Sequence, residues 1–253
     1  MRFNPSKSFF EPSFLPYMSF DSIHTISFDA TGTLFDPIPS IGGIYAEVLH
    51  QHGVFIGEPE LEMRFMAEFH KSRSCPMPVI DEEHEKNRWH NVIVEILGDD
   101  FSDFIFEDLW QTIGEGFRWK TKSKVFRTLT ALKEAGFNLV LSSNWDKRLY
   151  SILKQLKLLS HFDQVFLSTK LGVEKPEEAF YSKIADELGV DPIHLLHVGN
   201  SPANDYKPAL RSGWNALLLH NRIPHGMEPG TVLGSIDQLP EILQSEQAAV
   251  ADI

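Results

Sequence analysis

Residues 26–36 read ISFDATGTLFD: an apolar run ends in a carboxylate, Asp29, a small polar turn follows (Ala30-Thr31-Gly32-Thr33), and then an apolar pair, Leu34-Phe35. The segment 23–28, IHTISF, is short, β-branched and aromatic, and stops at turn formers. That pattern predicts a buried strand with Asp29 at its C-terminal end, where open α/β sheets gather their ligands. Past Lys124 the chain alternates between two periodicities. VFRTLTALKEAG, KRLYSILKQLKL, EEAFYSKIADELG and PANDYKPALRSG have helical spacing, and FNLVLSS, QVFLS, IHLLHVG and NALLLH lie between or after them as strands. Gly136, Gly189 and Gly213 stand where helices stop. Strands separated by helices of this length predict an α/β, Rossmann-like parallel sheet with helices on its faces, and the strand at 23–28 joins it.

Residues 37–121 have a different texture. IGGIYAEVLHQHG, EPELEMRFMAEFHKS, EEHEKNRWHNVIVEILG and FSDFIFEDLWQTIGEGFRW all read as helical, with CPMP as a break between the two pairs and no strand among them. Leu61, Phe65, Met66 and Phe69 fall on one helix face, a core stripe. The predicted organisation is an α/β core of residues 21–36 and 122–253, a helical insert at 37–121, and a poorly ordered N-terminal extension at 1–20. Pro5, Pro12 and Pro16 interrupt any signal-peptide helix in that extension, and Met18 is a second candidate start.

The 253 residues are 42% apolar and 23% charged, as in an ordinary globular protein. A net charge of −12 argues against a phosphate-backbone surface, so nucleic acid is not an expected partner. No apolar run reaches the ~20 residues that span a bilayer, so neither is a membrane. The single cysteine, Cys75, excludes an intramolecular disulfide and reads as a spare thiol of a reducing, cytoplasmic protein. A small-molecule substrate and a monomer or homodimer are expected.

Four segments place reactive side chains just after predicted strands: Asp29; Ser143 and Asn144; Lys175 before Pro176; and Gly199-Asn200 with Asp205. Each alone is readable as a cap or a solvated charge. A parallel sheet brings all four to one edge. Taken together, DATGT, SSN, EKPEEAF and GNSPAND resemble the haloacid dehalogenase (HAD)-like hydrolase superfamily across most of residues 21–220. That family places a helical cap where the insert lies. NRWHNVIVEIL further resembles the branch of haloacid dehalogenase-like hydrolase domain-containing proteins.

The resemblance implies a HAD-like fold and a nucleophilic Asp29 that forms a covalent aspartyl intermediate, later cleaved by water. Ser143 would hydrogen-bond the transferring group, and Lys175 would keep the nucleophile ionised and offset charge. Thr31, Gly32 and Asn144 would touch substrate. Asp29, the Thr31 carbonyl, Asn200 and Asp205 would hold Mg²⁺. The cap would open and close over Asp29 to exclude water.

Two positions depart from the family pattern. Thr31 stands where its phosphatases carry an aspartate that protonates the leaving group and then activates water, a task worth ~10²–10⁴-fold. Asn200 stands where an aspartate binds metal, so weak or absent Mg²⁺ is expected. Three readings stay open. One is a phosphatase for a leaving group that needs no proton, such as that of an acyl phosphate. Another is a dehalogenase, since halide leaves as a stable anion. The third is an impaired enzyme with a binding role. His197 reads as a core histidine, His161-Phe162-Asp163 as a loop packing the sheet end, Asp36 as a cap, and Arg73 and Arg88 as a solvated helix face.

Overall fold

The computed structural model describes residues 20, 22–74, 77 and 79–243; the N-terminal extension to residue 19, Cys75 and Met18 lie outside the described residues. The predicted sheet is present. Its strands are β1 (Thr25–Phe28), β4 (Asn138–Ser143), β5 (Gln164–Leu167), β6 (Leu195–Gly199), β7 (Asn215–Leu219) and β8 (Val232–Leu233). They pair in parallel in the order β5-β4-β1-β6-β7-β8. β1 lies between β4 and β6, where successive strands change from one side of it to the other. Asp29 therefore leaves the sheet at a topological switch point, the crevice such folds use for ligands.

Alternation along the central strands sorts the core into two faces. Ile26, Phe28, Leu139, Leu141, Leu196 and Val198 belong to one buried cluster. Val140 and Leu195 belong to the other, with Phe180, Tyr181, Ile184 and Trp214. Around the strands run α5 (Val125–Glu134), α6 (Arg148–Gln155), α7 (Ser168–Leu171), α8 (Glu178–Leu188) and α9 (Lys207–Arg211). Gly189 ends α8 in the left-handed conformation, as its position in the sequence suggested. PANDYKPALRSG is not one helix: Pro202–Tyr206 forms a wider π-type turn before α9.

The insert folds as α1 (Ile41–Gln51), α2 (Glu58–Ser74), α3 (Glu82–Leu97) and α4 (Asp103–Ile113). Side-chain oxygens of Ser40, Asp81 and Ser102 accept the free N–H groups at the starts of α1, α3 and α4. Leu61 and Phe65 are buried as expected, whereas Met66 is 43% exposed and is no part of the core.

The expectation of a strand-free insert fails at its two ends. β2 (Phe35–Pro37) and β3 (Trp119–Thr121) pair antiparallel where the chain leaves and re-enters the core. Three-residue strands are too short to show periodicity, and their pairing is long-range. Asp36 is accordingly in a strand rather than a cap, 3.6 Å from Lys122. β8 escaped the sequence for the same reason.

Candidate active site

β1 delivers Asp29 into a closed polar cluster. Ser143 at the end of β4 donates to Asp29 Oδ1 at 2.9 Å, and the Lys175 ammonium reaches the same oxygen at 2.7 Å. Lys175 also donates to Asp205 Oδ1 at 2.6 Å, so one cation is shared by two carboxylates. All three are buried, Lys175 to 4% exposure and Asp205 to 2%. The opposite oxygen of Asp29 accepts from the Thr33 hydroxyl at 3.5 Å.

Local structure explains the approach. Gly32 adopts a positive φ of 82°, and the Asn200 amide occupies the place a Cβ would take, so only glycine closes this turn. The Asp205 carboxylate likewise lies against Gly199, where any side chain would overlap it. The turn is braced from outside: Lys122 donates to the Gly32 carbonyl at 2.5 Å, and the Gly32 N–H donates to the Phe35 carbonyl. The Gly32 N–H is thus spent within the turn.

Electrostatics follow from burial with one cation for two anions. Burial pushes the Asp29 carboxyl above the usual carboxylate range; Lys175 opposes this and Asp205 adds to it. Asp205 goes the other way: despite its burial, Lys175 and His197 hold it well below that range. The Lys175 ammonium is raised, because its two carboxylates outweigh the cost of burying it. His197, fully buried in β6, is lowered by burial and is therefore neutral.

His197 Nε2 lies 3.2 Å from Asp205 Oδ1, and its Nδ1 lies 3.2 Å from Ser27 Oγ, which is 2.7 Å from Ser142 Oγ. A carboxylate only accepts, so the histidine proton sits on Nε2 and the chain runs from Ser142 through Ser27 to Nδ1. The core reading of His197 is right about its burial, but it missed the contact with Asp205.

Other candidates have different partners from those expected. Asn144 spends its amide on the Lys175 main chain, accepting from the N–H at 2.8 Å and donating to the carbonyl at 2.9 Å. Its position sets the lysine. The Thr31 hydroxyl accepts the Trp145 indole N–H at 3.0 Å. Thr33, not singled out from the sequence, stands between Asp29 Oδ2 and Asn200 Oδ1, 3.2 Å from the latter. Asp163, as expected, secures the sheet end by accepting the Leu139 N–H.

Arg73 and Arg88 correct the sequence reading: they are not a solvated face. They close on Glu85 and Glu174, and Arg88 grips Glu174 at 2.7 and 2.8 Å.

A cation would need oxygens not already engaged by protein donors. Asp205 is largely engaged: Lys175 and His197 take Oδ1, and the Ser201 N–H takes one acceptor site of Oδ2 at 2.9 Å. Asp29 Oδ1 is likewise taken. The Thr33 hydroxyl has one proton for Asp29 Oδ2 and the neutral Asn200 Oδ1, 3.5 and 3.2 Å away, so both oxygens keep acceptor sites for a cation, as does the Thr31 carbonyl. Among the described residues no cluster of three or more His, Cys, Asp or Glu could hold a metal. Asp29 Oδ2, one remaining site on Asp205 Oδ2 and two neutral oxygens make a donor set of low charge, on which Mg²⁺ would share Asp29 with the attack on substrate.

Among the described residues no helix is long and apolar enough to cross a membrane. The sequence model of the haloacid dehalogenase-like hydrolases matches residues 23–213. Haloacid dehalogenase-like hydrolase domain-containing protein 3 of Mus musculus is 26% identical over 81% of this chain and 82% of its own. A glyceraldehyde 3-phosphate phosphatase of Methanothermobacter thermautotrophicus is 31% identical over 46% of this chain and 55% of its own. The L-2-haloacid dehalogenase of Xanthobacter autotrophicus superposes with a TM-score of 0.69 at 19% identity, covering 88% of this chain and 98% of its own.

Proposed function

The chain belongs to the haloacid dehalogenase-like hydrolases, and from that premise we propose that it hydrolyses a small acyl phosphate through a covalent intermediate on Asp29. One observation carries the reading. Asp29 is held by Ser143 and Lys175 through Oδ1, while the residue two places on is a threonine whose hydroxyl is bound by Trp145. The site has a nucleophile and a charge-stabilising cation but no acid for the leaving group.

Asp29 Oδ2 attacks phosphorus, and the bond to the acyl oxygen breaks with its electron pair. The carboxylate product leaves unprotonated, as its low proton affinity allows at neutral pH. Lys175 and Ser143 fix the orientation of the nucleophile and offset negative charge in the transition state. Water then attacks the phosphorus of the aspartyl phosphate, returning Asp29 and inorganic phosphate. No base at position 31 assists that water, so the second step is the slow one.

The low charge of the donor set, with Asn200 neutral, supports turnover that does not depend on tightly bound metal. Supplying purified protein with acetyl phosphate, p-nitrophenyl phosphate and 2-chloropropionate, each with Mg²⁺ and with chelator, tests the reading. Phosphate release from acetyl phosphate that survives chelation is expected; chloride release would favour the second reading, dehalogenation. That reading draws on the same feature, a leaving group that departs as a stable anion. Silence on all three substrates would remove both. Asn200→Asp adds a second anionic oxygen beside Asp29 and should strengthen Mg²⁺ binding roughly tenfold by titration calorimetry; unchanged affinity would show that the vacant oxygens do not converge.

The nucleophile must be ionised, and its proton affinity is raised by burial. Activity should therefore fall as pH drops through a value above the ~3.9 of an ordinary aspartate. A kcat/KM profile flat down to about pH 4 would contradict this. The insert's position, and its polar contacts with residues 147, 148, 169 and 174, support its reading as a cap over the site.

A further inference from the structure

Glu174 immediately precedes Lys175 and is itself 9% exposed. The Arg88 fork, from α3 of the insert, holds its two oxygens at 2.7 and 2.8 Å. Arg73, from the last turn of α2, donates to the same carboxylate and to Glu85. Glu85 is 2% exposed and also accepts the Trp89 indole N–H at 3.0 Å. Two arginines and two glutamates thus form a neutral square across the joint between insert and core, buried at Glu85, Arg88 and Glu174 and partly exposed at Arg73. Burial raises both glutamates above their usual range in spite of Arg73.

Such a cluster is a poor device for stability. Desolvation consumes most of its Coulombic gain, and apolar replacements of similar volume are often neutral or better. Its location suggests another use. The Lys175 main chain is held from the β4 side by the Asn144 amide. The square holds the preceding residue from the insert side. Further polar joints flank the same two loops. Glu82 of α3 accepts the Lys147 N–H at 3.0 Å and the Thr169 hydroxyl at 2.6 Å, and Arg148 donates to the Trp110 carbonyl at 2.7 Å while stacking on its ring. The insert therefore rests on the segments that carry Ser143, Asn144 and Lys175.

We propose that Glu174, clamped by Arg73 and Arg88, is a positioning residue that transmits the seating of the insert to Lys175. With the clamp closed, the loop before Pro176 is fixed at two successive residues, and the ammonium stays between Asp29 and Asp205. With the clamp open, the Lys175 main chain keeps its bonds to Asn144 but loses the anchor at the preceding residue, and the ammonium leaves the carboxylates for part of the time. A charge on the insert thereby controls the cation beside the nucleophile without touching it. The catalytic consequence rests on the role given to Lys175 above; the placement of the lysine does not.

The test reads the lysine directly, in the full chain and without substrate. Proteins are treated briefly with N-hydroxysuccinimidyl acetate, and acetylation of Lys175 and of the exposed Lys154 is followed by peptide mass spectrometry. Wild-type Lys175, buried and doubly paired, should resist. Arg88→Met and Glu174→Gln should raise its acetylation roughly tenfold, within the range of couplings carried by packed networks, with Lys154 unchanged. Arg88→Lys keeps the charge but loses the fork; it should give a smaller rise, and it serves if the other variants fail to fold by circular dichroism. Turnover of acetyl phosphate by the same samples should fall in the same order. Lys175 as protected as in wild type in the folded variants overturns the inference, whatever happens to activity. Lys175 exposed with turnover undiminished upholds the positioning and instead removes the role of Lys175 in hydrolysis.

Discussion

Lys175→Met should reduce turnover by about 10²–10³-fold, the cost of removing one preorganised charge from a water-excluded site, and should also destabilise the fold. The ammonium is the shared partner of Asp29 and Asp205, at 2.7 and 2.6 Å, and all three groups are buried. Removing it leaves two desolvated carboxylates facing an apolar side chain. Breaking a buried pair in this way costs ~3–5 kcal/mol. The sign of the pH dependence identifies the cause. Without the cation the folded-state affinity of these carboxylates for protons rises above that of the unfolded chain. The folded state then binds more protons, so the variant regains stability as pH falls toward the ordinary carboxylate range. Denaturant unfolding at neutral and mildly acidic pH would show the gap to wild type closing. A gap that widens on acidification, or full activity, would mean that the lysine neither holds nor assists Asp29.

Thr31→Asp should produce a gain that depends on substrate. An alkyl phosphate such as glycerol phosphate needs its leaving oxygen protonated, and a general acid at this position is worth ~10²–10⁴-fold. Acetyl phosphate needs no such help in the first step, so its initial burst should change little. Its steady-state turnover should rise, because the new carboxylate also serves the attacking water. Trp145 matters here. Its indole N–H, 3.0 Å from the Thr31 hydroxyl, would hydrogen-bond the new carboxylate and hold it ionised. Thr31→Asp with Trp145→Phe should therefore be the better acid. Gains of equal size on both substrates in both steps would show that the missing proton donor is not what limits the natural site.

The parallel core was legible because its information is local. Helical and strand periodicities alternate, glycines mark the stops, and a carboxylate stands at the end of a buried run. Asp29, Ser143, Lys175 and Asp205 come together because a parallel sheet aligns strand ends whatever the side chains between them do. What the sequence concealed was pairing at long range. β2 and β3 lie far apart in the chain and are too short to carry a period. Arg73 and Arg88 look like solvated charges until the helices place them beside Glu174. Asn144 and Thr31 have the chemistry of substrate ligands, and the sequence did not show that the fold also ties the Asn144 amide to the Lys175 main chain and the Thr31 hydroxyl oxygen to the Trp145 N–H. Asp205 matches a metal-binding pattern in sequence, and the fold adds donors from three directions that occupy much of its acceptor capacity. Residue type announces what a side chain can do; only its neighbours decide which of those things is left to it.

Asp29 must form a bond to its substrate, and a quench experiment addresses that bond. Protein mixed with acetyl phosphate in chelator, stopped in acid within a turnover and digested, should yield the peptide containing residues 26–36 with a phosphoryl group on Asp29. The adduct should approach one per chain, because the unassisted second step is slow. Asp29→Asn should show neither adduct nor turnover. Sustained phosphate release with an unmodified Asp29 peptide, or an active Asp29→Asn variant, would contradict the account.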